Sequence, residues 1–65
     1  MNLQALYQLK HENPEAITRL AEEKGLDPVV SMGVALLLLA NDGNLASLSL
    51  KQKEHFDATI KPLIE

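Results

Sequence analysis

The chain has 65 residues, a formal net charge of −3 and no cysteine, and 46% of its residues are hydrophobic. Its length allows one domain over residues 1–65, its hydrophobic content is too high for a disordered chain, and the lack of cysteine excludes disulfides and thiolate metal sites. A domain of this size buries only about 60% of the surface that its unfolded chain exposes, so self-association is a common source of added stability.

Two helices are predicted before residue 25. Asn2 is a suitable N-cap for the first, because its side-chain oxygen can accept a hydrogen bond from the first turn. Asn13 and Pro14 have the form of a second helix start, and an amphipathic pattern follows over about 14–24. Gly25 is placed to end this helix in the left-handed conformation.

The third predicted helix, about 28–41, is almost entirely apolar. Asp27 and Pro28 form another helix start, and no charged residue occurs between Val29 and Ala40. This run is too short to span a bilayer, which requires about 20 residues. The segment 41–44, Asn-Asp-Gly-Asn, contains residues that tolerate positive φ, so we expect the helix to end there.

A fourth helix is predicted after Ser49, which forms a capping box with Gln52. Pro62 lacks an amide donor and disfavours helical geometry at Lys61, so the helix is expected to end or kink at Lys61. No alternating strand pattern occurs. The predicted fold is therefore all-α: a compact bundle of four short helices packed around the central apolar third helix.

Placing successive residues of the third helix about 100° apart around its axis separates two sides that differ in their residues. Gly33 and Ala40 lie on one side, where another helix could approach closely, and Ser31 and Ala35 lie on the least apolar side. Core positions are predicted to be Val30, Met32, Val34, Leu36 and Leu37. Three short helices are not expected to cover the central helix completely, which leaves an interaction face on the other side and in the C-terminal tail. That face comprises Ser31, Ala35, Leu38, Leu39, Leu63 and Ile64.

A local resemblance to the helix-turn-helix motif runs through "ITRLAEEKGLDPVVSMGVALL". Ala21 is a small residue where two helices cross, Gly25 stands in the turn, and Leu26 follows it. The resemblance implies that helices at about 14–24 and 28–41 bind DNA as part of a dimer. The chain departs from the motif at Lys24 and Ser31, where apolar residues are usual, and its third helix has no basic residue for base edges.

The sequence predicts no catalytic residue, no metal site and no cofactor. His11 and His55 belong to different helices, neither helix has a second histidine to form a local metal pair, and both are expected at the surface. The serines at 31, 47 and 49 are assigned to helix packing and capping. A small domain leaves little material to wall a pocket, so neither an enzyme nor a small-molecule substrate is expected.

The function predicted from these observations is that of a non-enzymatic protein-interaction module that self-associates through an apolar helix face. The partner is a second copy, as a homodimer, or another protein. The acidic charge argues against nucleic acid, and the polar faces lack the basic residues of a membrane-surface helix. The N-terminus lacks a basic segment followed by an apolar one, so a cytoplasmic location is expected. A dimeric helix-turn-helix regulator is the alternative.

Overall fold

Helices make up all the regular structure of the chain in a computed structural model that describes residues 1–65. Three helices come first, and a 3₁₀ turn at Leu45–Ser47 leads to a fourth, C-terminal helix. The C-terminal helix consists of α4 (Leu50–His55), a π-helical segment (Phe56–Ile60) and α5 (Lys61–Ile64), which follow one another without a break. The first three helices are α1 Leu3–Glu12, α2 Glu15–Glu23 and α3 Pro28–Ala40. None of these helices is long and apolar enough to cross a membrane.

Side-chain caps begin three of the four helices, as predicted. The Asn2 side chain accepts a hydrogen bond from the Ala5 amide at 3.0 Å, and Asp27 accepts one from Val29 at 2.9 Å. Ser49 and the glutamine three residues later form a reciprocal capping box. The prediction of a cap from Asn13 is wrong, because α2 begins after Pro14 without a side-chain cap.

Residues with positive φ terminate α2 and α3. Gly25 has φ of 70° after α2, and the Leu26 amide donates to the Ala21 carbonyl at 2.8 Å, which closes the turn that leads to α3. After α3, Asp42 and Gly43 have φ values of 53° and 76°. Both stops lie where the sequence predicted them.

The sequence predicted that the C-terminal helix ends or kinks at Lys61. The predicted end is wrong, because the helix continues through Pro62, and the hydrogen bonding changes from π-helical to α-helical at Lys61. Lys61 is helical, with φ of −53° and ψ of −44°, and its amide donates to the Phe56 carbonyl five residues earlier. Pro62 has no amide proton for the Ala58 carbonyl four residues before it. The Lys24 ammonium, at the end of α2, donates to that carbonyl at 2.8 Å. A π turn and a lysine from another helix thus accommodate the proline.

The hydrophobic core lies between α3 and the helices around it. Helices α1 and α2 and the C-terminal helix all pack against α3. The predicted bundle around an apolar third helix is therefore confirmed. Nine buried residues form the core: Leu6, Ile17, Val34, Ala35, Leu38, Leu48, Phe56, Ile60 and Ile64.

Candidate functional site

The face of α3 that the sequence assigned to an interaction is buried within the chain itself. Ser31, Ala35 and Leu38 each have 0% of their surface exposed. The prediction that this strip is uncovered is wrong, because the C-terminal helix packs over it and brings a polar partner to Ser31. Of the remaining predicted residues, Leu39 and Ile64 pack in or against the core.

Leu63 is the one member of the predicted interaction face that lies at the surface, with 38% of its area exposed. It belongs to α5, in the last turn of the chain. One exposed leucine does not make a contiguous apolar surface, so the six predicted residues do not form an exposed interaction face.

A buried hydrogen bond joins α3 to the C-terminal helix. The Ser31 Oγ lies 2.7 Å from the His55 Nδ1, and His55 is 3% exposed. Its backbone carbonyl accepts a further hydrogen bond, from the Thr59 hydroxyl at 2.7 Å. No buried side-chain nitrogen or oxygen lacks a partner. The expectation of a surface position for His55 is wrong, because Ser31 supplies the polar partner that a buried imidazole requires.

The pairing of a serine with a histidine resembles part of a nucleophilic site, but burial argues against that chemistry here. A nucleophile must reach its substrate in a concave site, whereas Ser31 has no exposed surface. The second histidine, His11, lies beside Tyr7 on α1, with ring centroids 4.2 Å apart. Nowhere do three histidine, aspartate or glutamate side chains come together to hold a metal ion. The Ser31–His55 pair is a structural contact between two helices.

The opposite side of α3 is exposed and apolar. Val29 is 77% exposed and Leu36 is 46% exposed, although Leu36 was predicted to lie in the core. Between them stands Gly33, where a Cβ atom would meet no neighbour within 4 Å. Among the other predicted core positions Val34 is buried, whereas Val30, Met32 and Leu37 are half-buried. The central helix therefore has one covered face and one open face.

An open groove of about 480 Å³ follows this exposed face between α2 and α3. We call it the α3 groove. Its lining is Thr18, Pro28, Val29, Met32, Gly33 and Leu36. Small-molecule sites usually add several polar groups that fix the orientation of the ligand. The only polar side chain here is that of Thr18, so the groove is suited to contact with another apolar surface.

The α3 groove has no charge and no side chain that reads DNA bases. No lysine, arginine, asparagine or glutamine lines it, so it lacks the usual donors for base edges in a major groove. Lys24, the basic residue nearest to the start of α3 in sequence, donates to the Ala58 carbonyl. The turn between α2 and α3 forms as the helix-turn-helix resemblance implies, but the exposed face of its second helix is aliphatic.

The sequence contained one signal for this groove. The sequence places Gly33 and Ala40 on one side of the helix and predicts a close approach there, and both residues are exposed. The pattern did not show whether that side faces the chain's own helices or solvent. Comparisons of the chain with protein-family models, with curated proteins and with solved structures give no match.

Proposed function

We propose that this chain is a non-enzymatic protein-interaction module that self-associates by packing its α3 groove against the α3 groove of a second copy. The observation that carries this proposal is the exposure of Val29 and Leu36 on either side of Gly33. Contiguous apolar surface of this kind, rimmed by polar residues, is typical of binding sites on small soluble domains. A cytoplasmic location stays a prediction of the sequence.

Gly33 supports a docking role because it has no internal role that requires a glycine. Glycine in the middle of a helix costs about 1 kcal/mol relative to alanine. Gly33 has neither the positive φ of Gly25 nor a crowded neighbour, since a Cβ there would meet nothing within 4 Å. A missing side chain on an exposed helix face allows another chain to approach the backbone closely. The proposed contact would explain why residue 33 is a glycine.

Charge favours a second copy as the occupant of the groove. In a two-fold interface the same surface meets itself, so a charged face would repel its copy. Helix α3 contains no charged residue, and neither does the rest of the groove lining. The chain as a whole has a net charge of −3, so an uncharged face allows two copies to meet with less repulsion than an acidic face would.

Sedimentation equilibrium tests self-association with two leucine variants. Leu36→Glu is expected to raise the dimer dissociation constant by at least about 10–100-fold, since burying one leucine contributes about 1.5–3 kcal/mol. Leu50→Glu is the matched control, because Leu50 is 79% exposed, lies outside the groove and begins α4. The control should dimerise like the wild type.

Two results would contradict the proposal. One is a wild-type chain that stays monomeric at high micromolar concentration. The other is an equal loss of dimer in Leu36→Glu and Leu50→Glu, which would show that the contact does not depend on the α3 groove. Circular dichroism of each variant checks that the helices are retained.

DNA binding by α2 and α3 is the alternative function, and it has less support. The turn around Gly25 has the expected form, but the exposed face of α3 offers no side chain that reads bases. Titration against mixed duplex DNA at low salt distinguishes the two. Binding that weakens steeply as salt is added would favour the DNA-binding alternative.

A further inference from the structure

We infer that Pro62 selects between two registers of the C-terminal helix. It keeps the π-helical register, in which Ile64 belongs to the core, and excludes a regular α register in which Leu63 would take that place. The inference goes beyond the proposed function, because no residue of the C-terminal helix lines the α3 groove. The proline thus determines which apolar side chain the last turn presents to solvent.

The sequence of the C-terminal helix has the spacing of a regular α-helix. One face of an α-helix shows the pattern i, i+3, i+4, i+7, and that pattern is formed by Phe56, Thr59, Ile60 and Leu63. A continuous α-helix would therefore turn these four side chains toward the core. Ile64 would then lie about 100° further round than Leu63, toward solvent. The spacing alone assigns the core position of the last turn to Leu63.

The structure has the next residue in that core position. Ile64 is 8% exposed and belongs to the core, whereas Leu63 is 38% exposed. The π segment explains the exchange, because its hydrogen bonds join residues five apart instead of four. One additional residue in the turn displaces all later residues by one residue's rotation, about 100°. Ile64 therefore lies where a regular helix would place Leu63.

Pro62 is the local reason why the regular register does not form. In an α-helix its ring would clash with the Ala58 carbonyl four residues earlier, and it has no amide proton to donate to that oxygen. The wider turn avoids the clash, and in it the Lys61 amide donates to the Phe56 carbonyl. The Ala58 carbonyl accepts a hydrogen bond from the Lys24 ammonium at 2.8 Å. Both contacts belong to a helix that is built around the proline.

Nuclear Overhauser effects between methyl groups and core side chains identify the buried residue in each register. In the wild type, Ile64 should show many such contacts and Leu63 few. Pro62→Ala removes the ring and restores an amide donor for the Ala58 carbonyl, so the regular register becomes available and the two residues should exchange places. Pro14→Ala is the matched control, because Pro14 precedes α2 and its loss should leave the wild-type contacts unchanged.

Alanine substitutions measure the same exchange as a change in melting temperature. In the wild-type background, Ile64→Ala should lower the melting temperature by about 10 °C or more, because it leaves a cavity, and Leu63→Ala should lower it by about 5 °C or less. In the Pro62→Ala background the order of the two losses should reverse. Melting is followed by circular dichroism at low micromolar concentration, so that dissociation of a dimer does not contribute.

Three results would overturn the inference. If Ile64 stays the buried residue in Pro62→Ala, by both measurements, core packing sets the register without the proline. If Pro62→Ala loses its helices, no regular register is available to the chain. If Leu63 is the buried residue in the wild type, the helix is regular already. None of these results bears on self-association, which depends on the α3 groove, so the two proposals fail separately.

Discussion

Leu38→Ala is expected to lower the free energy of unfolding by about 2–5 kcal/mol, because it leaves a cavity in the core. Leu38 has no exposed surface, and it is one of nine core residues that come from α3, from every helix around it and from Leu48. A domain of this length has a total stability of only about 3–10 kcal/mol. Urea denaturation at low protein concentration, followed by circular dichroism, measures the loss.

Leu36→Ala is the matched control on the same helix. Both variants replace a leucine by alanine, but Leu36 is 46% exposed and lies on the open face of α3. Its removal should cost about 1 kcal/mol or less in the unfolding of the monomer. Equal losses in the two variants, or a larger loss for Leu36→Ala, would show that the inner and outer faces of α3 have been assigned the wrong way round.

The second large effect is expected at the buried pair of Ser31 and His55. Ser31→Ala removes the hydroxyl that lies 2.7 Å from the His55 Nδ1 and leaves that nitrogen without a partner. An unpaired buried polar group costs about 1–3 kcal/mol, so the variant should lose stability although it loses only one oxygen atom. Thermal and urea unfolding of Ser31→Ala at neutral pH measure this cost.

A double-mutant cycle separates the hydrogen bond from the packing of the two side chains. His55→Phe keeps a ring at the same place but removes the nitrogen, and it leaves the Ser31 hydroxyl unpaired. When both residues are changed, neither unpaired group remains, so the double variant should lose less stability than the sum of the single losses, by about 1 kcal/mol or more. Strictly additive losses would mean that the bond contributes nothing to the fold.

Helix ends were predictable because their causes are local. Asn2, Asp27 and Ser49 each accept a bond from an amide two or three residues later. The stop after α2 depends on Gly25, which adopts a conformation that other residues adopt only with strain. Such contacts lie within one or two turns of chain, so the residues themselves indicate them. The bundle follows from the amphipathic helices that these signals delimit.

The orientation of α3 was not predictable in the same way. Its residues are apolar almost all the way round, so hydrophobicity alone does not show which face is covered. Ser31 was placed outward because it is polar, yet its partner His55 lies 24 residues away. A polar residue is buried without penalty when such a partner exists, and only the packed chain shows that it does. For this reason the strip of Ser31, Ala35 and Leu38 was expected to be exposed, whereas it is buried.

The last helical turn of the chain is a second place where local sequence signals did not predict the structure. Pro62 is a local signal for the end of a helix, and the helix continues through it. In the π turn the backbone amide bonds to the carbonyl five residues earlier instead of four. Lys24, far away in sequence, donates to the Ala58 carbonyl, for which Pro62 has no amide proton. Tertiary contacts here override a local preference worth about 3 kcal/mol in an isolated helix.

Concentration-dependent backbone amide chemical shifts in two-dimensional ¹H–¹⁵N spectra test the central claim most directly, namely that the open face of α3 is the binding surface. Spectra are recorded from low micromolar to millimolar concentration. The proposal predicts that shifts move most at Val29, Met32, Gly33 and Leu36 and least at the buried Ala35 and Leu38. Shifts that stay constant over that range, or that cluster around an exposed site elsewhere such as Leu50, would contradict it.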